Sequence, residues 1–186
     1  MTLLSDAVVD ASRRSVLCWL ATVGPDGMPN VSPKEIWTIH DETRVLVANV
    51  ASPRTVRNLA HCDKVCLSFV DVFVQKGFKL TGLAQHVNAA HASYRRWAEP
   101  LLTIAGPRFP IHGVIVIEVS QVEPIVAPSY RLFPTETTKQ GQVAAAMRTY
   151  GVSPAPGVAS LPAADRGTIR SDAHARTTPS TREGPP

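Results

Sequence analysis

Aromatic residues are scarce in this 186-residue chain, at 6%, and aliphatic residues, valine above all, carry most of the 44% hydrophobic fraction. That balance suits β-strands better than long helices. No expected strand carries a row of aromatic side chains, which argues against a barrel that stacks nucleic-acid bases. Cysteine is limited to Cys18, Cys62 and Cys66. No second cysteine or histidine pair completes a zinc pattern around Cys62 and Cys66, so free thiols are expected. No run approaches the ~20 apolar residues of a membrane span. Asp6, Asp10, Arg13 and Arg14 interrupt the segment where a signal peptide would need continuous apolar sequence. A cytoplasmic protein with no membrane partner is expected.

A charge stripe is missing as well. The formal net charge is +4, but only Arg13–Arg14 and Arg95–Arg96 are adjacent basic pairs. Scattered charge serves a phosphate-bearing small molecule as well as a nucleic acid, and no nucleic-acid partner is expected. The chain also lacks a nucleophile elbow, a GxxxxGK phosphate loop and paired metal histidines, so no metal site is expected. Chemistry supplied by a bound cofactor remains.

The length fits one domain with an appendage. A short helix over Asp6–Arg14 starts after Ser5, and the apolar run Val16–Val23 enters the turn Gly24-Pro25-Asp26-Gly27. The second run, Pro29–Thr38, holds prolines at 29 and 33 and reads as one edge or kinked strand. Arg44–Asn49, with Val45, Leu46, Val47 and Ala48, reads as a strand buried on both faces. Ser52 as N-cap and Pro53 at the first helical position open a helix over Thr55–Ala60.

Lys64–Val70 and Gly77–Val87 supply two more strands. Ala89–Glu99 reads as a helix stopped by Pro100, Gly113–Val122 as the last strand, and Thr138–Tyr150 as a final helix. Six antiparallel strands with peripheral helices make a closed or nearly closed barrel, which removes exposed edges. The domain is expected over residues 1–150. From 151 to 186 proline, serine and threonine rise and aromatic residues vanish, the composition of a disordered tail.

Three segments bear on a cofactor. Ser32 and Lys34 lie two apart and point the same way from an extended chain, where a hydroxyl and an ammonium can hold a phosphate. A solvent-facing strand end has the same pattern. Ala51, Ser52, Arg54 and Thr55 open a helix whose free N–H groups and positive dipole end attract a phosphate, although an ordinary N-cap also accounts for Ser52. At Gln75, Lys76 and Gly77 the glycine lets a planar ligand or another backbone come close.

Taken together, the stretches CWLATVGPDGMPNVSPKEIW (Cys18–Trp37), VLVANVASPRTVRNLAHCDKVCLSFV (Val45–Val70) and KGFKLTGLAQ (Lys76–Gln85) resemble the FMN-binding split-barrel family typified by pyridoxamine 5′-phosphate oxidase. The resemblance runs over roughly residues 5–125, about one domain. It implies a homodimer of six-stranded split β-barrels with FMN at the subunit interface. Arg54, after Ser52, matches the position that holds the flavin phosphate, and Ser32 and Lys34 match positions along the flavin. Asn49, Ala51, Thr55 and Asn58 fall beside the phosphate and ribityl chain, and Gln75, Lys76 and Gly77 on the strand that closes the site. The family's oxidases carry an Arg-x-His pair near the C-terminus that binds substrate. Here Pro128–Phe133 provides Arg131 and no following histidine, so the resemblance implies the fold and the cofactor without the pyridoxamine phosphate reaction.

The function this implies is a flavin-dependent oxidoreductase passing hydride to or from a small molecule. The alternative is a non-catalytic protein that sequesters flavin, deazaflavin or haem, for which His40, His61, His86, His91 and His112 are the histidines on offer.

Overall fold

The computed structural model describes residues 3–154. The tail expected from residue 151 lies outside the described residues beyond its first four. Within them, the hairpin foreseen at Gly24–Gly27 joins β1 (Cys18–Val23) to β2 (Pro29–Lys34). Gly24 N–H donates to Met28 O and Gly27 takes φ +76°, the left-handed conformation that favours glycine. Next come β3 (Trp37–Ile39), β4 (Arg44–Asn49), β5 (Lys64–Asp71), β6 (Lys76–Asn88) and β7 (Gly113–Val126).

All pairings are antiparallel, in the order β2-β1-β5-β6-β7-β4-β3. The architecture is the expected one: a curled antiparallel sheet with peripheral helices. It has seven strands rather than six, because the run Pro29–Thr38 breaks at Glu35–Ile36. The break follows from pairing. Its first half bonds to β1 and its second half to β4, so two residues join opposite ends of the sheet and force it to curl upon itself.

β4 is buried on both faces, as its continuous apolar sequence requires. Val45 and Val47 point into the barrel with Leu20, Trp37, Leu67, Phe69, Leu80, Ile115 and Ile117, and α1 (Asp6–Arg13) adds Leu4, Val8 and Ala11 to that core. Leu46 and Ala48 face the other way, onto Ala98, Leu101 and Ala105 of α3 (Tyr94–Ala105).

That helix corrects the sequence reading. It begins at Tyr94 and runs through Pro100 instead of ending there. Pro100 forfeits the bond to the Arg96 carbonyl and its ring crowds that carbonyl. Burial of Ala98, Leu101 and Ala105 on either side of it supplies the compensation. A short helix not foreseen, α4 (Ser129–Leu132), follows β7, and α5 (Lys139–Tyr150) is capped at Thr138, whose Oγ1 accepts from Gly141 N–H at 3.0 Å.

Candidate functional site

α2 (Pro53–His61) lies against the inner side of β1 and β2. The outward face of β2 carries Pro29, Val31 and Pro33, while Asn30, Ser32 and Lys34 turn inward. An inward polar row is costly unless partnered: the start of α2 meets Ser32 and Lys34, and Asn30 turns to Thr22 of β1. Ser32 Oγ meets Thr55 Oγ1 at 3.2 Å, Asn58 Nδ2 donates to Thr22 Oγ1 at 3.0 Å, and the Lys34 ammonium donates to the Ser52 hydroxyl. Thr55 and Asn58 are buried, whereas Arg54 stays exposed in the first turn of the helix.

Lys34 is the unusual member. It is 5% exposed, and among the described residues its ammonium meets a hydroxyl and no carboxylate. Burial holds it below the ordinary lysine range, and the neighbouring Cys18 thiol acts in the opposite sense. Cys18 is its register partner across the β1–β2 ladder. Beside Lys34 opens a cavity of about 210 Å³ lined by Pro33, Ile36, Ala48, Val50, Ser52 and Phe109 among others.

Ser52 shows why the two sequence readings of it differ. Its hydroxyl makes no bond to the helix backbone, so it is not a side-chain cap. It accepts from Lys34 instead, and its own N–H donates to Asn49 Oδ1 at 3.2 Å. Among the described residues no side chain therefore caps the first turn of α2, whose N–H groups lie beside a buried cation.

The structure thus gathers Ser32, Lys34, Asn49, Ser52, Thr55 and Asn58 around the start of α2 in three neighbouring sets of contacts, with Ala51 and Arg54 exposed at their border. Gln75, Lys76 and Gly77 are elsewhere. They close the turn after β5, where Asp71 Oδ1 accepts from Phe73 and Val74 N–H, and Gln75 takes φ +56°. Lys76 Nζ sits 3.9 Å over the Tyr130 ring. A Cβ on Gly77 would fall 1.9 Å from Phe69 O, so this glycine serves a close backbone-to-backbone approach.

One residue absent from the sequence expectations for the phosphate region meets the side chains around the start of α2. His86 Nε2 lies 3.3 Å from Asn49 Nδ2. Burial lowers its pKa from the ordinary histidine value. His40, in contrast, packs edge-on against Trp97 at 5.3 Å between ring centres. Among the described residues no cluster of three or more His, Cys, Asp or Glu is placed to hold a metal, and no helix is long and apolar enough to cross a membrane.

No curated protein matches the chain. Solved structures with a similar fold include HupZ of Group A Streptococcus, 22% identical, with TM-score 0.55 over 63% of this chain and 90% of that one. An FMN-binding protein from Syntrophomonas wolfei is 16% identical, with TM-score 0.55 over 67% and 87% of the two chains. HutZ, the haem storage protein from Vibrio cholerae, is 18% identical, with TM-score 0.50 over 62% and 89%. These likenesses establish a shared fold. Residues 4–125, the curled sheet with the polar network under α2, match the family model of pyridoxamine 5′-phosphate oxidase, and the chain belongs to that family.

Proposed function

We propose that the network under α2 binds the phosphate of FMN, and that the protein is a homodimeric flavin-dependent oxidoreductase of the cytoplasm acting on a small molecule. The observation that carries this is the Lys34 ammonium, buried without a carboxylate beside the uncapped first turn of α2. A phosphate supplies the missing negative charge there. Ser52, Thr55 and Arg54 are within the same turn, and Arg54 offers a bidentate fork from its exposed position. Among proteins of this fold, the one from S. wolfei is an FMN-binding protein.

The residues fit such a group in charge and in position. Lys34 and the α2 N–H groups would hold its phosphate, and Asn49 would orient the turn. When bound, FMN supplies hydride transfer, and the chain contributes binding, orientation and exclusion of water. At about 210 Å³ the cavity beside Lys34 falls short of the roughly 300–1,000 Å³ of ordinary ligand sites, so a complete FMN needs another wall. A second protomer, bringing its own Gln75–Gly77 turn, can provide it.

The outer face of β1, β2 and β6 favours that association. Trp19 (46% exposed), Val23, Val31 (56%) and Leu83 leave an apolar surface uncovered, and a shallow groove of about 450 Å³ runs past Val23 and Leu83. Arg131, on α4, is exposed and has no following histidine, so pyridoxamine phosphate is not the substrate proposed.

The test is spectroscopic. The purified protein reconstituted with FMN should show a perturbed flavin absorbance and sediment as a dimer, and NADH or NADPH should bleach it. A colourless monomer after reconstitution overturns the reading, while a yellow protein that neither nucleotide bleaches supports the carrier alternative.

A further inference from the structure

His86 and Asn49 belong to strands that do not touch. β6 and β4 both pair with β7, which runs between them. Neighbouring strands lie about 4.8 Å apart, so the two side chains must reach across β7 to meet. They can do so because the intervening residue is Gly113, which pairs with Asn49 on one side and with Asn88 on the other. A Cβ at position 113 would sit 2.4 Å from His86 Nε2. The missing side chain is therefore the space in which the contact forms.

The contact is also polarised. Asn49 Oδ1 accepts from Ser52 N–H, which fixes the amide with its NH2 group toward His86. Only an unprotonated Nε2 can accept from that group. If Nε2 gains a proton, two donors face each other. Flipping the amide merely moves the conflict, since its NH2 would then face Ser52 N–H. Protonation thus breaks one bond of the relay in either orientation.

We infer that His86 is a positioning residue: through Asn49 it holds the turn at Ser52 that opens α2, and its protonation loosens that turn and any phosphate bound there. The ligand in this inference rests on the phosphate reading of the α2 start, while the relay itself rests on the three residues and the gap at Gly113.

The surroundings of His86 leave protonation to His86 itself. Its same-face neighbours are Ala84 and Asn88 on β6, Ile115 and Gly113 on β7, and Asn49 on β4, none of them titratable. His112, next to Gly113, is exposed and meets Asn49 O through its backbone N–H at 2.9 Å. Burial is the cause of the lowered His86 pKa. The relay is therefore intact at neutral pH and fails as pH falls through a value below 6.5.

Two measurements separate the relay from its ligand. In the cofactor-free protein, nuclear magnetic resonance should show the Ser52 amide and the Asn49 side-chain amide shifting with the midpoint of His86 titration. Both should be flat through that range in His86→Gln, whose side-chain oxygen accepts without titrating. FMN affinity, read by fluorescence quenching between pH 5 and 8, should fall about five- to tenfold in the parent across that midpoint, the size of one lost hydrogen bond. His86→Gln should keep the parent's pH 8 affinity throughout, and His86→Leu should bind weakly with no step. A Ser52 amide that ignores His86, or an unchanged affinity step in His86→Gln, overturns the inference. Failure of the parent to bind FMN at pH 8 with the amide shifts intact overturns the cofactor reading and supports the relay.

Discussion

The Lys34 ammonium donates to the Ser52 hydroxyl across the seam where one edge of the sheet, β2, meets the turn leaving β4 near its other edge. Ser32 and Thr55 repeat the link one step further along, at 3.2 Å. The curled sheet is therefore bridged at this point by side chains at the start of α2, and the polar groups that bridge it are those proposed to bind phosphate.

Replacing Lys34 by Met keeps the length of the side chain and removes the charge. FMN affinity should fall about ten- to hundredfold, the loss expected for one charge-assisted contact. The fold should persist, since a buried cation facing only a hydroxyl contributes little to stability. Fluorescence quenching and a thermal melt of the same sample check both halves, and an unchanged affinity removes Lys34 from the site.

Alkaline pH should weaken binding through the same group. Burial lowers the Lys34 pKa below its ordinary 10.5 in the free protein, and a bound phosphate favours the charged form. Binding at high pH then requires proton uptake. Affinity should fall as pH rises through the free-protein value, and in Lys34→Met that fall should disappear. A titration that is flat in the parent contradicts the assignment.

Arg54 offers a contact that leaves the core alone. It is exposed, so Arg54→Ala should leave the melting temperature nearly unchanged while FMN affinity drops about ten- to hundredfold. Equal retention of FMN by the variant and the parent would show that the phosphate sits elsewhere.

Association should depend on the apolar outer face. Trp19→Lys places a charge on that face, opposite Pro33 and Ser68 in the ladder. Sedimentation should report a single chain for this variant and two for the parent, and a dimer in both places the interface on another surface.

Much of the fold was legible because local rules agreed with tertiary demands. Gly24–Gly27 is a turn by chemistry, β4 is apolar throughout because both of its faces are covered, and Pro53 starts α2 where its missing N–H costs nothing. The failures have long-range causes. Nothing in Pro29–Thr38 shows that its halves pair with strands at opposite ends of the sheet. Pro100 reads as a stop because the core under α3 that compensates for it is contributed by β4 and β7.

The site divides in the same way. Ser32 with Lys34 were visible from strand alternation and Ser52 with Thr55 from the start of a helix, and the fold brings the two pairs together. The part played by His86 was hidden, since it depends on a glycine 27 positions away on another strand. Gln75, Lys76 and Gly77 lie apart from these residues within one chain, at a turn, a tyrosine ring and a neighbouring backbone.

The two prolines of β2 have a further consequence. Pro29 and Pro33 withhold two donors from a six-residue strand at the rim of the sheet. A foreign strand docking there finds gaps where continuous bonding is needed, so the sheet resists growth into fibrils at its margin. A molecule can then carry a wide greasy wall for one defined neighbour while remaining a poor template for unlimited stacking.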